Sequence, residues 1–357
     1  MRKSKILNVC LLSILALTTF NACAQDHKTN QQRLTAINNV SSSTVLLNNQ
    51  ASIIPLKALD KIQVASINLG LPQQQLLDSM LNKYTKVTAF DAADYKAQPN
   101  LNSLEDDLKY YNTVVVSLSS TESNNARYIN FINMMAESKQ VIVALFGNGN
   151  ALASFDKLDA PIIWTPASDA DAAAVVPQVI FGGIPAIGKL KVAYSPKYTL
   201  GSGFNTLATR LKYTLPEDAG VNADDLQEID RIAAEAIRGK AAPGMVVLVA
   251  KDGKVIFNKA YGNHTYTNGP AEKVTDIFDL ASVTKISATT PAVMRLFEQQ
   301  KLDLDTNVGA YIPKARNSPM NNRRRGQRTH QQRQRPAPGI RDRPLPCARP
   351  PGGPGSL

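Results

Sequence analysis

Cysteine, histidine and tryptophan are scarce in this sequence. Its 357 residues include three cysteines, three histidines and one tryptophan. Cys10 and Cys23 lie near the front and Cys347 near the end, so the body between them has no material for a disulfide framework. His27, His264 and His330 are far apart, and no His/Cys cluster has metal-ligand spacing. No metal and no cofactor is therefore expected. A serine triad would depend on His264, which sits in a polar loop and is expected to face solvent.

Balanced charge is also lacking, but only at the two ends. The net charge of +11 suggests a polyanion binder. Yet residues 321–357 hold nine Arg, no Lys and one acid (Asp342), and Arg2, Lys3 and Lys5 add three charges at the front. Residues 6–320 are net neutral. The body is not a nucleic-acid binder by charge. With 43% hydrophobic and 19% charged residues, it can build a core, and its length suits about two domains.

The front reads as a targeting segment. A basic n-region precedes an apolar stretch from Ile6 to Leu17, too short for a confident membrane span. Phe20-Asn21-Ala22-Cys23 resembles a bacterial lipobox, although Phe20 and Asn21 depart from the usual residues. The resemblance implies a signal peptide over 1–22, lipid on Cys23 and a polar tether over 23–39. The alternative is ordinary cleavage near Ala22. Either way the expected location is the bacterial cell envelope, lipid-anchored or periplasmic, with the membrane reached through the lipid.

From Val40 to Phe204, apolar runs alternate with helical patterns. Strands are expected at Ile62–Ile67, Val114–Leu118, Val141–Phe146 and Ile162–Trp164. Helices are expected at Gln73–Tyr84 and Asn125–Ser138, the second with Ile129, Ile132, Met135 and Ala136 on one face. This pattern implies a parallel sheet covered on both faces. Gly147–Asn150 reads as a turn, with a ligand cradle as the other reading. Ser43–Asn49 with Ile54-Pro55-Leu56, and later Phe181–Pro185, Gly188-Lys189-Leu190 and Gly201–Phe204, resemble the C-terminal α/β sandwich domain of glycoside hydrolase family 3. In that family the nucleophile is an Asp on a separate N-terminal barrel, for which residues 23–40 leave no room. The resemblance therefore implies a scaffold or carbohydrate-facing module over 40–205.

Residues 206–221 read as a linker. A helix then starts at Asp224-Asp225, with Leu226, Ile229, Ala233, Ala236 and Ile237 on one face. Met245–Ala250 and Val255–Phe257 flank Lys251-Asp252-Gly253-Lys254, a hairpin signal. Ser282-Val283-Thr284-Lys285 opens a helical pattern through Val293, Met294, Leu296 and Phe297 to Gln300, expected to kink at Pro291. Ser-x-x-Lys alone says little, and Ser154-Phe155-Asp156-Lys157 fits it too, but Pro161 soon follows that copy. On a helix, residues three apart share a face, so an amine at Lys285 can reach a hydroxyl at Ser282. Ser282 at the helix start also offers its N–H to developing negative charge.

Pro243-Gly244, Gly253-Lys254-Val255, Ala260-Tyr261-Gly262, Ala281–Lys285 and Leu302–Asp305 resemble, in that order, the serine β-lactamase-related and penicillin-binding superfamily. The resemblance implies that Ser282 is the acylated nucleophile and Lys285 its general base, on a small-molecule or peptidoglycan-related amide or ester. The alternative is a capping Ser282 and a surface Lys285. The family also uses a later Tyr-x-Asn or Ser-x-Asn element and a later Lys-Thr-Gly or His-x-Gly strand, and neither follows Lys285 here. The fold expected is thus an α/β sandwich followed by an incomplete α+β β-lactamase-like domain over 222–320. Residues 321–357, with seven Pro and five Gly, read as a disordered basic tail. A frameshifted or chimeric end, leaving a truncated domain, accounts for the abrupt switch from Lys to Arg. Three functions follow: an exported serine hydrolase, a non-catalytic glycan- or partner-binding envelope module, or a product with no function. Oligomeric state is not legible.

Overall fold

The computed structural model describes residues 29–95, 101–267 and 269–318. Cys23, the targeting segment and the Arg-rich tail lie outside them. Chain contacts divide into two units, Met1–Asp276 and Ile277–Leu357.

The first unit is built on a six-stranded sheet. Its strands are β1 (Val45–Leu47), β2 (Val64–Leu69), β3 (Val87–Asp91), β4 (Thr113–Ser119), β5 (Gln140–Phe146) and β6 (Ile162–Thr165), in spatial order β1-β6-β5-β4-β2-β3. All neighbours are parallel except β1, which pairs antiparallel with β6. The chain runs outward from β2 to β3, then returns to the other side of β2 at β4. That reversal is the hallmark of a doubly wound sheet.

Central strands of such a sheet have both faces buried, which explains their unbroken apolar runs. Val141 to Phe146 are all essentially inaccessible. With period two, Val141, Val143 and Leu145 join one core cluster, while Ile142, Ala144 and Phe146 join the other. The helices α1 (29–43), α2 (Gln74–Leu81), α3 (Asn102–Asp107), α4 (Ala126–Ser138) and α5 (Ala170–Phe181) supply the covers. Phe131, Ile132 and Met135 of α4 and Leu104 of α3 pack in the first cluster. Leu77 and Leu81 of α2 and Val175, Val176 and Val179 of α5 pack in the second. The expected helix face on 125–138 stands, with Phe131 added to it. The strands β1 and β3 escaped the sequence reading because they are short or only half-buried.

Two expectations need correction. Residues 29–39, placed in a polar tether, are helical. Ile37 and Val40, one turn apart, are buried in the second cluster, and Asn30 Nδ2 donates to Glu217 Oε1 (3.0 Å). Residues 206–221, read as a linker, are tied into the fold. Arg210 donates to the carbonyls of Leu56 (2.7 Å) and Phe181 (2.5 Å). Lys212-Tyr213 forms β7, which pairs parallel with Lys254-Val255. On its other side Gln178 of α5, itself buried, takes the place of a strand: Tyr213 N donates to Gln178 Oε1 (2.8 Å) and Gln178 Nε2 to Tyr213 O (3.0 Å).

The rest of this unit contains α6 (Gln227–Arg238), β8 (Gly244–Lys251) and β9 (Lys254–Gly262). The predicted hairpin is present: β8 and β9 pair antiparallel, and Asp252 (φ 52°) and Gly253 (φ 75°) make the two-residue turn with both central residues left-handed. Lys212 and Lys254 converge on Asp218, at 2.7 and 2.9 Å. Burial pushes the Asp218 carboxyl up, but the hydrogen bonds from both lysines outweigh it and hold it below the ordinary value. The Gly147–Asn150 segment is a turn: Asn148 Oδ1 accepts from Asn150 N (3.0 Å), and Trp164 Nε1 donates to Gly147 O (3.0 Å).

The second unit holds a 3-10 turn (Ala281–Val283), a π-helical turn (Lys285–Thr289), α7 (Thr290–Glu298), α8 (Val308–Tyr311) and a 3-10 turn (Pro313–Ala315). The long helix expected from Ser282 is therefore three helical forms in series, and Pro291 starts α7 rather than kinking it. Pro291 has no N–H to give the preceding turn. The wider π turn absorbs that gap: Thr290 sends both its N–H and its hydroxyl (2.7 Å) to Lys285 O.

Phe146→Ala should destabilise the first unit by about 3–5 kcal/mol, read by chemical denaturation. Asp218→Asn should cost about 1–2 kcal/mol near neutral pH. The depressed Asp218 pKa adds stability above its unfolded value of about 3.9, and that gain is lost as pH falls through the folded value. The gap between wild type and variant should therefore close below about pH 4.

Candidate active site

The site is assembled by its backbone before any side chain meets another. Asp279 Oδ1 accepts from Ala281 N (3.0 Å), and Val283 N donates to Leu280 O (2.8 Å). These bonds wind the chain into its first turn. Ala281 enters it with φ of 40°, a left-handed value that costs a residue with a Cβ about 1 kcal/mol or more. The strain falls on the residue immediately before Ser282. Asp279 is a positioning residue that sequence reasoning missed. A carboxylate two positions before a helical start was the available signal.

Ser282 and Lys285 then stand three residues apart on right-handed backbone. Lys285 Nζ and Ser282 Oγ are 3.0 Å apart, with the amine donating. The structure thus brings the two predicted residues together. Both are exposed. Neutralising the amine, which base chemistry needs, takes burial or nearby positive charge. Ser287 Oγ donates to Val283 O (2.9 Å), a further hydroxyl bond that steadies the turn.

The other candidates separate cleanly. Ser154 lies in a 3-10 turn (Gly149–Phe155), and its hydroxyl donates to Asn124 Oδ1 (3.3 Å). The second Ser-x-x-Lys is therefore not built as the first is. His264 is exposed, as expected, and it also has acidic partners: its Nε2 lies 2.8 Å from Asp276 Oδ2 and 3.7 Å from Glu272 Oε1. The Asp276 hydrogen bond raises the imidazole pKa above its ordinary value, slight desolvation opposes this, and the Glu272 charge adds to it.

Comparison with known proteins agrees with the Ser282 segment. Residues 229–334 match the family model described as Beta-lactamase, so this stretch is β-lactamase-related. Among curated proteins, the N-acetylmuramyl-L-alanine amidase of Bacillus subtilis (strain 168) is 37% identical over 110 residues, covering 29% of this chain and 25% of the relative. A protein of Escherichia coli (strain K12), named provisionally as a D-alanyl-D-alanine carboxypeptidase, is 32% identical over 111 residues with the same coverage. Protein flp of Staphylococcus aureus (strain N315) is 31% identical over 90 residues, covering 25% of this chain and 18% of the relative. The chain thus spans about a quarter or less of the length of these relatives. A solved fungal multi-domain β-N-acetylglucosaminidase of glycoside hydrolase family 3 covers 65% of this chain and 28% of its own, at 12% identity and a TM-score of 0.37. At that level it carries no argument about this chain.

The one hydrogen bond recorded for the Ser282 hydroxyl among the described residues is with Lys285. Ser282→Ala should therefore leave stability within about 0.5 kcal/mol of wild type, measured by denaturant midpoint.

Proposed function

We propose that this protein is an exported serine hydrolase that forms an acyl-enzyme on a peptidoglycan-related amide or ester. The observation that carries the reading is the 3.0 Å contact between Lys285 Nζ and Ser282 Oγ. With the amine neutral, the hydroxyl donates across that contact instead. Ser282 Oγ attacks the substrate carbonyl carbon while its proton passes to Lys285 Nζ. The tetrahedral oxyanion is met by the Ser282 N–H at the start of the helical run. Collapse expels the amine or alcohol, which leaves with the proton from Lys285, and water later releases the acid.

Peptidoglycan chemistry is the substrate class because the Bacillus subtilis relative is named for an N-acetylmuramyl-L-alanine amide and the Escherichia coli one for a D-alanyl-D-alanine bond. The proposed lipid on Cys23 would hold the chain at the envelope where that polymer lies. Among the described residues no helix is long and apolar enough to cross a membrane.

A second reading has its own support. Ser282 and Lys285 are both exposed, whereas base chemistry at an amine takes burial or nearby positive charge. On that reading the chain is a non-catalytic envelope module, its α/β sandwich contacting glycan or a partner.

Labelling decides between them. A fluorescent penicillin or fluorophosphonate should modify wild type at Ser282, located by peptide mass spectrometry, and leave Ser282→Ala unlabelled. Lys285→Ala should slow labelling by roughly 10²- to 10⁴-fold. Absence of label on wild type, with folding confirmed by circular dichroism, favours the binding module and removes the hydrolase.

A further inference from the structure

Five separated stretches of the first unit meet around a cavity of about 240 Å³. Ile37 of α1, Lys83 just after α2, Val175 of α5, Leu215 just after β7, and Ile256 and Asn258 of β9 all line it. The walls are held together without any ligand. Gln178, also in the lining, bonds to both the N–H and the carbonyl of Tyr213 and so ties α5 to β7. Ile37, Val175 and Ile256 are buried, so much of the lining is apolar.

Two polar groups in this lining lack what they need. Asn258 Oδ1 is buried and has no hydrogen-bond partner among the described residues. A buried carbonyl without a donor costs about 1–3 kcal/mol, so it calls for an explanation. Lys83 is half-buried. Among the described residues, the recorded partner of its ammonium is the Tyr213 ring, 5.0 Å to the centroid. Burial pulls its pKa below the ordinary lysine value. A ring face compensates a partly desolvated cation only in part.

The charge of the lining has one sign. Arg33 also lines the cavity, with its Nε 3.7 Å from Asp171 Oδ1, and no acidic residue lines it. The site therefore asks for three things: an anionic group for Lys83, an N–H or O–H for Asn258 Oδ1, and an apolar body for the walls. Water alone would satisfy Asn258 but leave the ammonium unpaired and the apolar walls wet. A bare inorganic anion would leave both Asn258 and the walls unserved. The volume lies below the roughly 300–1,000 Å³ of drug-sized sites, which limits the occupant to about the size of one amino acid.

We propose that this cavity binds a small carboxylate with an apolar body and one N–H, as an N-acylated apolar amino acid presents. The carboxylate pairs with the Lys83 ammonium, the N–H donates to Asn258 Oδ1, and the apolar body lies among Ile37, Val175 and Ile256. Neither Ser282 nor Lys285 takes part, so the site stands whether or not acyl transfer occurs.

The test titrates the full chain with N-acetyl-leucine, each enantiomer separately, by calorimetry. One molecule of at least one enantiomer should bind per chain and raise the melting temperature. Lys83→Met keeps the apolar stem and should weaken binding by roughly tenfold or more, as loss of a charge-assisted hydrogen bond does. Asn258→Leu should weaken it by roughly threefold to tenfold, the effect of one neutral hydrogen bond. Equal binding by wild type and both variants would place the probe elsewhere and overturn the site. No binding by a folded wild-type chain would overturn it too. So would acetate binding as tightly as N-acetyl-leucine, which would mark an adventitious ion only. Should the variants fail to fold, N-acetyl-leucine amide on the wild type decides. Weaker binding of this uncharged probe supports the pairing with Lys83, and equal binding rejects it.

Discussion

The double-sided burial of β4 and β5 is the constraint on which the first unit rests. A strand with water on neither face must be apolar at every position, and its backbone groups must all be paired within the sheet. That requirement puts both core clusters on one set of residues, alternating along Val141 to Phe146. It also dictates helices above and below, because each exposed sheet face would otherwise meet solvent. Even the first described helix is recruited: Ile37 and Val40 complete a cover that α2 and α5 leave open.

The second unit rests on a smaller device. Three helical forms follow one another between Ala281 and Glu298, and each change of pitch has a local cause. Asp279 and the left-handed Ala281 start the run, and Pro291 enforces the wide turn before α7. The amine and hydroxyl meet in the stretch between these two constraints. A hydrogen bond one turn long therefore depends on residues that take no part in it. The family match, residues 229–334, includes this stretch of chain.

Much of this was legible in the residues, and the exceptions are instructive. Fully buried strands announce themselves by composition, which is why 114–118, 141–146 and 162–164 read correctly. The hairpin was legible through Asp252-Gly253, whose left-handed geometry few other pairs accept. The edge strand Val87–Asp91 was not, because its burial is mixed and its composition unremarkable. The segment 206–221 looked like a connection because its anchors are long-range: Arg210 to carbonyls at 56 and 181, and Lys212 to Asp218. Sequence proximity carries no trace of the first and little of the second. At the site, the Ser282–Lys285 spacing was readable from helical period alone. The π turn was not, since it arises from a proline six residues beyond Lys285. His264 looked solitary because its partners, eight and twelve residues away, are brought back by a loop.

Gln178 extends this logic to a single side chain. A primary amide has the same donor and acceptor as a peptide group, and here it stands beside Tyr213 as if it were one more residue of a neighbouring strand. Which backbone groups of β7 face α5 is set by this pair. A slip of one position would turn the N–H and C=O of Tyr213 toward β9 and away from the Gln178 amide. The phase of the small sheet is thus indexed to one position on α5, and a glutamine there acts as a locating pin.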